Sequence, residues 1–124
     1  MKLRRTPPKA MLFRSLVAIA ALAQASAPAQ TQQQSGFFMI SGLMVSYANN
    51  MHFRVVGMQP VSACAAGTNW AYVDEADSGA EGKMATLLAA YLAGKQVNLV
   101  IEPTNYYGNG LTYCHILEIA GVTG

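Results

Sequence analysis

Hydrophobic residues recur most regularly between residues 78 and 101. Ala80, Met84, Leu87, Leu88, Tyr91 and Leu92 follow one another at spacings of three and four, which places them on one stripe of a helix. Ser78 and Glu81 stand at the spacing of a capping box, in which hydroxyl and carboxylate satisfy free backbone N–H groups of the first turn. Asp77 and Glu81 suit the positive end of the helix dipole and Lys95 the negative end. Gly94 supplies the left-handed residue past the last turn. The spacing predicts a helix over 79–93. Directly after it, Val97, Leu99 and Ile101 alternate with Asn98, Val100 and Glu102, the period of a strand. Pro103 is expected to end that strand, because it has no N–H to donate.

Alternation also organises the chain on either side. In 37–48, Met39, Leu43, Val45 and Tyr47 share a parity against Met44 and Ser46, with a bend or bulge expected at Gly42. Asn49 and Asn50 mark a tight turn. A second strand over 52–58 points Phe53 and Val55 inward and His52 and Arg54 outward, so the first two strands form a hairpin. Pro60, Gly67 and several small residues make 59–69 a connection. A third strand follows over 70–74, with Trp70 and Tyr72 on one face; the Trp is read as core or rim packing, since it buries much apolar area. A loop over 104–110 and a fifth strand over 111–120 complete the pattern.

The expected fold is therefore mainly β with one helix, in the order β-β-β-α-β-β. That is the order of the five-stranded oligonucleotide/oligosaccharide-binding (OB) barrel, whose ligand face lies near the first-second and fourth-fifth loops. An open antiparallel sheet with the helix across one face satisfies the same pattern.

The beginning of the chain has another character. Lys2, Arg4, Arg5, Lys9 and Arg14 precede an apolar run over 16–23, and Ala27-Pro28-Ala29 offers a small-x-small cleavage site. Residues 1–29 read as a cleaved secretory signal peptide, because the run is shorter than the roughly 20 residues a span requires. Residues 30–36, rich in Gln, read as a flexible N-terminal tail, and 37–124 as one OB-like domain. The protein is expected to be exported, to the periplasm or outside the cell, without membrane insertion.

Export changes the electrostatics. The full chain carries a formal charge of +2. Without 1–29, only Arg54, Lys83 and Lys95 stand against Asp74, Glu75, Asp77, Glu81, Glu102 and Glu118, a balance of −3. With no basic cluster left to neutralise successive phosphates, nucleic acid is excluded as a partner. Export also bears on Cys64 and Cys114, the two cysteines, which in an oxidising compartment are expected to pair as a disulfide. A metal site built from them with His52 and His115 fails on spacing, since adjacent Cys114 and His115 on a strand point to opposite faces.

Catalytic chemistry finds no motif. Asp74, Glu75 and Asp77 lack the glycine and distal glutamate of a calcium loop, and neither a glycine-rich phosphate loop nor zinc-hydrolase spacing occurs. The chain reads as non-enzymatic and without a cofactor. The candidate ligand-binding residues are Tyr106, Tyr107 and Asn109 in one loop and Tyr47, Asn49 and Asn50 at the first hairpin. Together they offer aromatic faces for sugar C–H surfaces and amides for hydroxyls.

Cys64, Trp70, Leu87, Leu88, Ala90, Gly94, Lys95 and Val97 resemble the corresponding stretch in the binding subunit of subtilase-type bacterial AB5 cytotoxins and in similar small exported bacterial proteins. The resemblance runs over 64–99. It implies an OB barrel, a glycan or cell-surface receptor as partner and a homo-oligomer of five. An envelope accessory protein without glycan binding is the alternative.

Overall fold

The computed structural model describes residues 31–46 and 51–124, so the leader expected over 1–29 lies outside the described residues. Among these, the alternating segments form seven strands: β1 (Gln33–Gln34), β2 (Phe38–Met39), β3 (Gly42–Val45), β4 (Phe53–Val56), β5 (Trp70–Val73), β6 (Gln96–Thr104) and β7 (Tyr113–Thr123). One helix, α1 (Ala80–Ala93), lies between β5 and β6. The strands make a mixed, open sheet in the order β1-β6-β7-β5-β4-β3, with β2 as a further partner of β6. Every pairing is antiparallel except that of β5 with β7. The chain is mainly β with one helix.

Seven strands replace the predicted five for two local reasons. The first predicted strand is broken at Ile40 and Ser41, so that β2 pairs with β6 while β3 pairs with β4. The buried parity changes across the break: Phe38 and Ile40 are buried, then Leu43 packs on the core while Met39 and Val45 are exposed. Gly57 fits against this break. Its φ is +123°, and a Cβ there would stand 2.6 Å from the Met39 carbonyl oxygen and 2.9 Å from the Ser41 nitrogen, so only glycine lets the two backbones come this close.

The second reason is the segment expected to be a flexible tail. Gln33 and Gln34 pair with Ile101 and Val100. The Ser35 N–H donates to the Leu99 carbonyl and the Leu99 N–H to the Ser35 hydroxyl. A polar segment without apolar period can still use its backbone to cover an open strand edge. Pro103 also departs from expectation, lying inside β6 opposite Cys114. Among the described residues no strand covers the far edge of β6 beyond Ile101, an edge position at which a proline is tolerated.

The helix ends at Gly94, whose φ is 65°. There the Gly94 N–H donates to the Tyr91 carbonyl and the Lys95 N–H to the Ala90 carbonyl, the paired bonds of a Schellman motif. Its start differs from the predicted capping box: Gly79 is the N-cap and no side chain bonds the first turn. Residues 74–80 are instead folded into tight turns, with Asp77 N–H donating to Asp74 carbonyl and Ala80 N–H to Asp77 carbonyl. The predicted apolar stripe also narrows. Ala80, Leu87 and Ala90 are buried and Met84 packs beside them, while Leu88, Tyr91 and Leu92 are exposed.

The core gathers Val55, Ala71, Leu87, Leu99, Ile101, Cys114 and Ile116, all fully buried. Cys64 and Cys114 are joined as a disulfide with their Cα atoms 5.3 Å apart. Beside it the Thr112 hydroxyl donates to the Ala63 carbonyl at 2.7 Å and accepts from the Ala65 N–H at 3.1 Å. The connection from β4 to β5 is thereby tied to the start of β7.

Candidate functional site

The ladders carry one row of side chains across five strands. Met44 is paired with Arg54, Arg54 with Tyr72, Tyr72 with His115 and His115 with Glu102. Cross-strand partners share a face, and the residues between them, Val55, Ala71 and Cys114, are the buried ones. The row therefore lies on the face of the sheet opposite the core, as the outward prediction for Arg54 requires.

That face is aromatic. Tyr72 stacks on His115 with centroids 5.2 Å apart and planes 16° from parallel. Tyr106 meets Tyr72 edge-on at 5.6 Å, and Tyr107 meets Tyr106 at 4.9 Å and Tyr113 at 5.7 Å. Tyr113 in turn touches Trp70 at 5.5 Å. The Arg54 guanidinium closes the strip 4.6 Å from the Trp70 ring centroid, a cation–π distance. Arg54 also donates to the Met51 carbonyl and to the Ser46 hydroxyl, each at 3.2 Å. Edge-to-face geometry is favoured between quadrupolar rings, so the loop after β6 folds back over the sheet and buries Tyr72 completely. Tyr107 stays 41% exposed at the rim.

Tyr106 and Tyr107 meet edge-to-face in the loop after β6. Asn109 serves its own turn, its side-chain oxygen accepting from the Leu111 N–H at 3.0 Å. Tyr47, Asn49 and Asn50 lie outside the described residues. The register sets the 105–112 loop at the Trp70–Tyr113 end of the sheet. Sequence reasoning did not single out Arg54, Tyr72, Tyr113 or His115 as site residues. Their signal is the shared parity of 54, 70 and 72 with that of 113 and 115, which becomes a signal only when β5 and β7 are known to pair.

A polar cluster adjoins the strip at His115. Its Nε2 lies 2.6 Å from Asp77 Oδ2, and the Lys83 ammonium lies 3.3 Å from the same oxygen while donating to the Ile116 carbonyl at 3.1 Å. Partial burial pushes the Asp77 carboxyl up, but the hydrogen bonds and charges of His115 and Lys83 outweigh it and hold its pKa below the ordinary value. Asp74, Asp77 and His115 offer ligand atoms within 4.8 Å of one another. Asp77 Oδ2 is already shared by His115 and Lys83. The cluster acts as a clasp between the 74–79 turns and β7. A second clasp joins His52 Nδ1 to Glu75 Oε2 at 2.7 Å, tying β4 to the same turns.

Among the described residues no helix is long and apolar enough to cross a membrane. No family model, curated protein or solved structure matches this chain.

Proposed function

We propose that this chain is an exported, non-enzymatic binding module that takes a glycan or a cell-surface receptor on the outer face of β4, β5 and β7. The observation that carries the reading is the run of rings Tyr106, Tyr107, Tyr113 and Trp70, closed by Arg54 and seated on the buried Tyr72. Rings of this kind present flat apolar area with polar tips, the combination that suits sugar C–H surfaces and hydroxyls. The sheet is read as an OB-type barrel with an interrupted first strand. In support, β2 and β3 are separated only by Ile40 and Ser41, and they pair with β6 and β4 respectively. In such a barrel the strip would occupy the ligand face, in keeping with the resemblance to toxin binding subunits.

Tyr107 is the residue to change, being exposed at the rim and not needed by the core. On a glycan array, Tyr107→Ala should weaken the signal about tenfold, the worth of one aromatic contact, with an unchanged melting temperature. Wild-type protein that binds no glycan and is recovered crosslinked to an envelope protein would instead establish the accessory reading.

A further inference from the structure

Residues 87–93 of α1 (Leu-Leu-Ala-Ala-Tyr-Leu-Ala) carry no polar group except the Tyr91 hydroxyl. Only Leu87 and Ala90 among them are buried. Leu92 is 75% exposed, Leu88 43% and Tyr91 39%. A helix that is apolar all round belongs in an interior, yet this one meets its own sheet only along a narrow strip.

The uncovered face has a pattern of its own. Glu81, Ala85, Leu88 and Leu92 follow one another at spacings of four, three and four, and Lys95 continues the series just beyond the Gly94 cap. All five are exposed. This is the period of a seam between two packed helices, and it lies about a third of a turn around α1 from Leu87. An acidic residue stands at its beginning, a basic one at its end and apolar residues between.

We propose that α1 packs against α1 of a second copy of this chain, antiparallel, about a twofold axis at Leu88. Charge selects the partner and its direction. The antiparallel arrangement sets Glu81 of each copy beside Lys95 of the other and opposes the two helix dipoles, whereas a parallel one would put like charges together. Glu81 makes no salt bridge among the described residues. Lys95 spends one N–H on the Gly124 carbonyl at 3.1 Å, which leaves two to donate. Leu92 of each copy arrives beside Ala85 of the other, where no side chain beyond Cβ stands in its way. With only Ala85, Leu88 and Leu92 as apolar contacts between the charged ends, the interface is small, so the dimer is weak and concentration-dependent.

Sedimentation velocity of the purified protein across the micromolar range tests this. The expected result is a monomer–dimer equilibrium that Leu88→Glu with Leu92→Glu weakens more than about tenfold, since burying one leucine is worth of that order. Both residues are exposed in the monomer, so circular dichroism and melting temperature should not change at low concentration. Glu81→Lys or Lys95→Glu alone should weaken the dimer and the two together should restore it. Leu88→Cys should crosslink to itself under mild oxidation, as a position on the axis must. A wild type that stays monomeric at the highest concentration would overturn the proposal. So would a ring of five that ignores the leucine substitutions, or charge variants that fail to rescue one another.

Discussion

Tyr72 holds a hydroxyl that the fold buries without a hydrogen bond. Burial raises its pKa far above the ordinary tyrosine value. The Thr104 side chain offsets this only in part, and the carboxylates of Asp74 and Asp77 add to the rise. A buried polar group left unpaired costs more than its removal does. Tyr72→Phe is therefore expected to leave stability unchanged or raise it by up to about 1 kcal/mol, read from the urea midpoint. A clear loss would mean that the hydroxyl has a partner in solution. Asp77 is the opposite case, a carboxylate with two cationic or donor neighbours on one oxygen. Residue-scale legibility followed parity: Phe53 and Val55 point inward and Arg54 outward, as alternation requires. The burial of Tyr72 was not legible, because it depends on a loop folding back from more than thirty residues later in the chain.

At the scale of elements, local signals were strongest where one residue decides the backbone. Gly94 ends α1 as its sequence position suggests. Ser78 does not cap it, because the turns at 74–80 and the clasp on Asp77 fix the approach to the helix instead. The stripe Leu87, Leu88, Tyr91 and Leu92 reads as one buried face in sequence, yet the sheet meets only Leu87 of these. Periodicity reports apolar residues and not which chain will cover them. The broken first strand follows from a glycine in another element. Gly57→Ala is expected to destabilise by about 2–3 kcal/mol, combining a positive φ with backbone crowding against Met39 and Ser41. Thermal denaturation measures this, and a loss below about 0.5 kcal/mol would mean that the two segments can part freely.

For the whole molecule, the disulfide was legible from the two cysteines and the expectation of export, whereas the sheet order was not, since strand pairing is set by contacts remote in sequence. Cys64 and Cys114 are 50 residues apart. Closing such a loop is worth about 4 kcal/mol on the chain-entropy account. Reduction, or Cys64→Ala with Cys114→Ala, should therefore lower the unfolding free energy by up to that amount in a denaturant titration. A small domain has little reserve against such a loss.

The position of β7 has a further consequence. It is the last strand in chain order and the central one in the sheet, joining β6 on one side to β5 on the other. Until residues 113–123 are available, β3, β4 and β5 form one meander and β6 holds β1 and β2 apart from it, with a raw strand edge on each. A polypeptide made from its N-terminus thus presents two sticky half-sheets until β7 joins them. The Cys64 thiol is then kept waiting for a partner delivered at the same moment. Assembly of this sheet is timed by residues 113–123, and any factor that shields unpaired edges would act in that interval.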